Sequence, residues 1–191
     1  MIALFVFLVP LIGGLIAFLL KNDRAVRSWS LFTSLVTLAL ALTASLGVAS
    51  DAQLSFTANW MGSLGISFSL KLDGLSKMLT LLTAIAYVLI LVATWKSSYK
   101  KAHNFFALML LTQAGLMGVF NATDALLFYF FWELALIPVY FLCSGWGGER
   151  RIPVTFKFFI YTFVGSVLML VALIYLYFQT PNASFSMESF Y

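Results

Sequence analysis

The residue best placed for chemistry is an acid, Glu133, in the middle of the apolar segment Ala125–Ser144. About nine residues separate it from either end, so a helix rising 1.5 Å per residue would hold it ~13 Å deep in a membrane, close to the midplane. A carboxylate at that depth costs at least ~2.5 kcal/mol unless it faces a cavity or a partner. Glu133 is therefore a candidate for carrying protons. The alternative is a protonated glutamate that serves only as a hydrogen bond between helices.

A proline, Pro138, follows the acid by five residues on the same segment. Its ring removes the backbone N–H that would otherwise bond to the carbonyl of Leu134, next to Glu133. Inside a membrane such a break is tolerated where water or polar groups satisfy the free carbonyl, which favours a hydrated site around the acid. A kink that serves only packing is nearly as good an explanation.

A base, Lys157, stands about one turn into the next apolar segment, Ile152–Phe178. Its ammonium could extend along the helix to the membrane surface, which would make it an anchor. Facing inward, it would instead be a second proton-carrying group below Glu133. The helix rise places the two backbones ~10 Å apart along the membrane normal, so water or a third residue would have to join them.

A strip of small and polar residues lies on the preceding segment, at Gln113, Gly115 and Gly118. Small residues at this spacing allow the backbones of two helices to approach closely. We therefore expect close helix packing along this strip.

The composition excludes several classes of protein and site. Hydrophobic residues make up 62% of the 191 residues and charged residues 9%, which is far from the balance of a soluble domain. The bases are scattered through short connectors, so no nucleic-acid surface is expected. One cysteine and one histidine, His103, provide neither a disulfide, nor a thiolate metal site, nor a pair of haem ligands. With no glycine-rich nucleotide loop either, we expect no cofactor in this chain.

Segments long enough to cross a membrane recur along the chain, and each is near the ~20 residues that a bilayer requires. They predict an all-α, polytopic bundle of six transmembrane helices: Met1–Leu20, Ser28–Ser50, Met78–Trp95, Asn104–Thr123, Ala125–Ser144 and Ile152–Phe178. Residues 51–71 are more polar and richer in glycine. They are predicted to form an interfacial loop outside the bilayer.

Basic residues mark one side of the predicted membrane. Eight of the 11 lie in the first, third and fifth connectors: Lys21, Arg24, Arg27, Lys96, Lys100, Lys101, Arg150 and Arg151. Because positive connectors stay inside, these three are predicted to face the cytoplasm, with the N-terminus outside.

Three stretches together resemble a known family: Phe-Tyr-Phe-Phe-Trp-Glu-Leu-Ala-Leu-Ile-Pro-Val-Tyr-Phe-Leu at 128–142, Gly-Trp-Gly at 145–147 and Lys-Phe-Phe-Ile-Tyr-Thr at 157–162. They are similar to the M-type antiporter-like subunit of NADH:quinone oxidoreductase, respiratory complex I. Leu-Asp-Gly-Leu-Ser at 72–76 also resembles a segment of that family. The resemblance concerns its N-terminal portion.

The resemblance implies an inverted-repeat fold of about fourteen helices with a proton path along buried charged residues. It implies that Glu133 tunes a lysine on a seventh helix, and that Lys157 takes part in proton translocation. It further implies a subunit of a translocase that is inactive alone, with quinone and NADH handled by other membrane-complex subunits. A bacterial inner membrane is the expected location.

The resemblance also divides the chain into residues 1–103, with the first three helices, and residues 104–191, the incomplete start of the antiporter-like module. Two rival functions stay open. One is a subunit of a multisubunit cation/proton antiporter or membrane-bound hydrogenase, and the other is a noncatalytic membrane scaffold.

Overall fold

The computed structural model describes residues 1–47, 50–61, 65–180 and 184–190. The elements, in chain order, are α1 (Ile2–Leu19), α2 (Asp23–Ser45), the short α3 (Asp51–Leu54), β1 (Ser55–Met61), β2 (Ile66–Lys71), α4 (Gly74–Ala93), α5 (Ala102–Asn121), α6 (Ala125–Trp146), α7 (Arg151–Gln179) and a 3₁₀ helix (Met187–Phe190). Within the described residues, six helices are long and apolar enough to cross a membrane, namely every α-helix except α3. The predicted all-α, six-span bundle is confirmed, and the chain is a multi-pass integral membrane protein.

One helix, α2, begins five residues before its predicted start. The side chain of Asn22 caps it by accepting a hydrogen bond of 3.0 Å from the Arg24 backbone N–H. The start of the helix contains the charged residues Asp23, Arg24 and Arg27, so the charge-free segment predicted from the sequence began only after them. The predicted segment also included residues 48 and 49, which lie outside the described part of the chain.

Helix α5 lies at the centre of the bundle, in contact with α1, α2, α4 and α6. Gly14 of α1 brings the two backbones close, since a Cβ atom there would lie 3.1 Å from the carbonyl oxygen of Ala107 on α5. The rings of Phe7 and Phe131 meet edge to face with centroids 4.8 Å apart, which joins α1 to α6. Apolar burial of this kind holds the helices in a fixed arrangement.

The predicted interfacial loop at 51–71 contains the short helix α3 and an antiparallel β-hairpin. Strands β1 and β2 pair from Ser55 opposite Lys71 to Met61 opposite Ile66, and residues 62–64 of the predicted loop are not described. Alternation at Ile66, Phe68 and Leu70 is the pattern of a half-buried strand, too short here to stand out beside the glycines.

This hairpin packs onto two other segments to form what we call the hairpin cap, made of 55–61, 65–71, 122–124 and 184–190. The Thr123 N–H donates to the Ser69 carbonyl at 3.0 Å. The Ala125 N–H donates to the Phe185 carbonyl at 2.8 Å, and the Met187 N–H to the Thr123 carbonyl at 3.0 Å. The connector before α6 is therefore bound on both sides by backbone hydrogen bonds.

The opposite end of the bundle, the basic end, gathers the three connectors rich in lysine and arginine. The Arg27 guanidinium donates to the carbonyl of Trp95 and, at 2.7 Å, to that of Ser97. The Trp146 indole N–H donates to the Lys100 carbonyl at 2.9 Å. The eight bases of these connectors thus lie at one end.

Candidate proton-transfer site

Glycines of α5 fix how α6 is rotated. A Cβ atom at Gly118 would clash with the Phe131 ring, and one at Gly115 would lie 2.7 Å from the Cα atom of Ala135. The close packing predicted for the strip at 113–118 is confirmed for both glycines. The face of α6 that carries Phe131 and Ala135 is therefore pressed against α5.

Glu133 lies on the opposite face of α6. At about 100° per residue it is turned roughly 200° from Phe131, which directs it away from α5. Tyr140, seven residues later, shares the Glu133 face, and its ring meets that of Phe159 on α7 with centroids 5.1 Å apart. The face of α6 that carries Glu133 is thus the one covered by α7.

The antiparallel register of α6 and α7 places Ser166 opposite Glu133. Tyr140 meets Phe159 near the basic end, and near the cap Leu126 and Leu173 pack against one apolar cluster. Counting inward from either contact pairs Glu133 with Ser166. Ser166 is one of only two buried residues of α7, and its hydroxyl donates to the Phe163 carbonyl at 2.9 Å.

The carboxyl group of Glu133 is incompletely satisfied. Its Oε1 atom is buried and has no hydrogen-bond partner among the described residues. An unpaired oxygen at this depth carries a desolvation cost that binding a proton or water would relieve. Sequence reasoning located the acid but missed Ser166, whose one signal is a hydroxyl inside an otherwise apolar run.

Pro138 lies on a different face from the acid. It is buried, and it lines a cavity of about 180 Å³ together with Leu11, Leu108, Leu111, Leu134, Ile137 and Phe141. All of these side chains are apolar, and the cavity lies on the α1 and α5 side of the helix. This placement favours the packing interpretation of Pro138 over a hydrated break beside Glu133.

Lys157 is exposed and turned away from α6. The buried residues of α7, Thr155 and Ser166, mark its α6-facing side, and Lys157 is turned roughly 200° from Thr155. The register sets it level with Leu142, nine residues from Glu133, or ~13 Å along the helix axis instead of the expected ~10 Å. The structure does not bring the two predicted residues together.

A second acid, Asp124, is the N-cap directly before α6 and is only 1% exposed. Its Oδ1 atom accepts from the N–H groups of Leu126 and Leu127 at 3.0 and 3.1 Å, and its Oδ2 atom from that of Ser67 at 3.2 Å. Burial raises the pKa of the Asp124 carboxyl, and the three N–H donors oppose that rise. The sequence signal was an aspartate directly before a helix, the typical N-cap.

Metal binding finds no support in the part of the chain that the structure describes. No group of three His, Cys, Asp or Glu side chains there could hold a metal ion. Cys143 is exposed on α6.

Comparisons with known proteins identify a family. Residues 122–191 match the family model described as NADH:quinone oxidoreductase/Mrp antiporter, transmembrane. The F(420)H(2) dehydrogenase subunit M of Methanosarcina mazei is 38% identical over 184 residues, which cover 95% of this chain and 37% of the relative. The NADH-quinone oxidoreductase subunit M of Escherichia coli strain K12 is 38% identical over 197 residues, covering 93% and 38%. The chain thus spans well under half the length of these relatives.

Solved structures agree with the fold. A chain of respiratory complex I from Thermus thermophilus with bound NADH matches with a TM-score of 0.88 and 27% identity, covering 100% of this chain and 38% of that one. A chain of the Mrp complex from Dietzia sp. DQ12-45-1b matches with a TM-score of 0.81 and 17% identity, covering 100% and 21%, a likeness of fold alone. The predicted resemblance is confirmed: this chain is related to the M-type antiporter-like subunits, and its residues 122–191 match the transmembrane model of the NADH:quinone oxidoreductase/Mrp antiporter family.

Proposed function

We propose that the chain forms part of a proton-translocating membrane subunit of an NADH:quinone oxidoreductase, and that Glu133 binds and releases the proton. The observation that carries the proposal is the buried, unpartnered Oε1 atom of Glu133 halfway along a membrane-crossing helix. A carboxyl there is costly as a permanent charge and too poorly bonded for a purely structural role.

The chemistry around Glu133 suits a group that changes its protonation state. Ser166 uses its only hydroxyl proton on the Phe163 carbonyl, so its oxygen is left as an acceptor facing α6. An acceptor favours the protonated acid, which has an O–H to donate. The ionised form needs a positive partner, and the family resemblance supplies one as a lysine on a seventh helix.

Redox chemistry belongs, in this proposal, to other subunits. The relatives are named for different electron donors, F(420)H(2) in one and NADH in another, while sharing the designation subunit M. A role common to both is membrane proton translocation coupled to electron transfer elsewhere. The partners are then neighbouring membrane subunits and lipid, and the chain itself holds no cofactor, handles neither quinone nor NADH, and is inactive alone.

The orientation follows from the basic end. With eight of 11 bases there, the positive-inside rule places this end in the cytoplasm of a bacterial inner membrane and the N-terminus with the hairpin cap outside. We also propose that the boundary between residues 103 and 104 separates the first three helices from the start of the proton-translocating module. The apolar core itself continues from α1 into α5 and α6.

The test is Glu133→Gln in the intact membrane complex that contains the chain. Glutamine keeps the shape and hydrogen-bonding capacity of the acid and removes its charge. We expect proton pumping and the coupled electron transfer to fall by roughly tenfold, the effect of one pKa unit lost at a basic partner. Proton uptake by sealed vesicles and the redox rate would be measured on the same preparation.

Glu133→Asp should retain more activity than Glu133→Gln, because it keeps the charge. Glu149→Gln is the matched control, since Glu149 is exposed at the basic end. Wild-type pumping by fully assembled Glu133→Gln complex would leave the acid as a hydrogen bond between helices and favour the scaffold. Sodium-dependent proton flux that needs no electron donor would favour the cation/proton antiporter.

A further inference from the structure

Three polar side chains are enclosed in the bundle on the far side of α5 from Glu133. Ser30 and Ser34 of α2 and Gln113 of α5 are each 0% exposed. Both hydroxyl oxygens and both amide atoms of Gln113 are buried without a hydrogen-bond partner among the described residues. The other buried hydroxyls of α2, those of Thr33 and Thr37, donate to carbonyls of their own helix. The side chains of Ser30, Ser34 and Gln113 therefore differ from these buried threonines, whose hydroxyls are hydrogen-bonded.

The helix faces that carry these residues point toward one another. Gln113 is spaced at helical intervals with Phe106, Leu110 and Met117, which all pack in clusters shared with α2. Ser30 and Ser34 follow Val26 at successive turns, on the face of α2 that is buried. The three side chains thus lie on the α2–α5 contact.

Two apolar layers bracket their depth in the membrane. Toward the basic end, Val26 of α2 clusters with Phe106 and Leu110 of α5. Toward the hairpin cap, Ala41 of α2 clusters with Met117 of α5. Ser30 and Ser34 lie between the two layers on α2, and Gln113 lies between them on α5.

Neighbouring helices add polar groups at the same level. Tyr87 of α4 lies between the residues that α4 contributes to the two layers, and its hydroxyl lies near the Thr112 side chain. On α1, Pro10 is buried and provides no backbone N–H to the carbonyl of Val6, which lies at the edge of the cap-side apolar layer. The level of Gln113 is therefore a polar layer between apolar ones.

Leaving these atoms unpaired would impose the full desolvation cost of each buried polar group. Buried water removes this cost where two to four polar partners converge, and protein interiors hold about one such water per 27 residues. We propose that Gln113, Ser30 and Ser34 form a binding site for ordered water inside the bundle of α1, α2, α4 and α5. The amide donates and accepts, the hydroxyls do both, and the two apolar layers close the site from the membrane surfaces. The proposal does not depend on the function assigned to Glu133.

Radiolytic footprinting in H₂¹⁸O tests the site directly, because X-ray-generated hydroxyl radicals label side chains that touch bound water. Met117, which is 0% exposed, and Tyr87, which is 8% exposed, flank the site and are reactive. Phe131 is also 0% exposed but lies in an apolar cluster, so it reports on a dry interior. In the intact complex in nanodiscs, we expect ¹⁸O at Met117 and Tyr87 well above that at Phe131.

Gln113→Leu, which removes the amide and keeps the approximate size, should lower labelling of Met117 and Tyr87 several-fold. The double variant Ser30→Ala/Ser34→Ala changes less volume and should do the same, so the test survives poor assembly of the leucine variant. Labelling of Met117 and Tyr87 no higher than that of Phe131 in the wild type would overturn the proposal, and would leave direct pairing of the amide with the serines. Labelling unchanged by both variants would equally overturn it.

Discussion

Two acids lie at the start and in the middle of α6, and their surroundings differ sharply: Asp124 is the N-cap of the helix and Glu133 lies inside it. Asp124, directly before the helix, receives three backbone N–H groups from two segments and is almost completely enclosed. Glu133, nine residues later, has a buried oxygen with no partner among the described residues and faces a helix that offers a serine at its level. Each acid has a buried carboxyl oxygen, yet only Asp124 has both oxygens hydrogen-bonded.

The difference separates a structural acid from one suited to transport. Where N–H donors from fixed backbone surround a carboxyl group, its oxygens are already used as acceptors and the group holds the backbone segments together. Where an oxygen is buried and unpaired, a proton can arrive or leave without breaking secondary structure. Burial alone therefore does not mark a candidate proton carrier, and the unpaired carboxyl oxygen is what distinguishes Glu133 from Asp124.

The largest expected effect on stability comes from Asp124→Ala. The variant loses the N-cap of α6, worth about 1 kcal/mol, and leaves the Ser67 N–H unpaired, which costs about 1–3 kcal/mol more. We expect faster amide hydrogen exchange across residues 65–71 and little change across α5. Mass spectrometry of the exchanged protein would measure both.

Asp23→Ala is the matched control for this variant. Asp23 is exposed in the first turn of α2, so its loss should leave exchange in the hairpin cap unchanged. Equal protection of residues 65–71 in wild type and Asp124→Ala would contradict the structural role assigned to Asp124.

The sequence predicted the positions of these features along each helix axis better than the helix face on which each one lies. The six spans, the depth of Glu133 and the close approach at Gly115 and Gly118 follow from length, charge and residue size. The faces of Pro138 and Lys157 did not follow, because both helices are apolar on all sides and a uniform helix has no pattern that marks its buried face.

Two further features depend on segments distant in sequence. Ser166 becomes notable only when the register of α6 and α7 is known. The hairpin is stabilised by the connector before α6 and by residues 184–190, so its short alternating strands give a weak signal alone. Local patterns carry no information about such partners.

A smaller effect is expected from pH. The folded pKa of Asp124 is raised above its ordinary value of 3.8 by burial, so its favourable contribution is complete below pH 3.8 and is lost as the pH rises through the folded pKa. In thermal unfolding of the complex, the unfolding temperature of the hairpin cap should therefore fall as the pH rises from 3.8 through the folded pKa of Asp124. Asp124→Asn, which does not titrate, should lack the slope.

The pH dependence of stability expected from Asp73 has the opposite sign. It caps α4, and the Ser76 N–H lowers its pKa below 3.8, so its contribution is present above that pH and is lost as the pH falls through the folded value. Asp73 is ionised in the stable fold, so Asp73→Asn should abolish the part of the acid-pH loss of stability that comes from protonating Asp73.

One outcome would contradict the prediction for Asp124. If the unfolding of the hairpin cap depended on pH in the same way in wild type and in Asp124→Asn, Asp124 would not titrate in this range.

The smallest effect in the comparison is expected at Lys157. The proposal retains Lys157 as a basic group of the proton path, but it is exposed, turned away from α6 and ~13 Å from the level of Glu133. At that distance it cannot neutralise the acid directly, because strong coupling between opposite charges requires about 4–6 Å.

Lys157→Gln should therefore lower proton pumping by a smaller factor than Glu133→Gln, and Lys157→Arg should restore most of the loss. Both variants would be assayed in sealed vesicles beside Glu133→Gln, with assembly checked on each. If Lys157→Gln abolished pumping as completely as Glu133→Gln, a partner outside this chain would have to bring the two charges into one path. If Lys157→Gln pumped at the wild-type rate, the lysine would be only a surface anchor, and of the two residues proposed for the path Glu133 alone would carry protons.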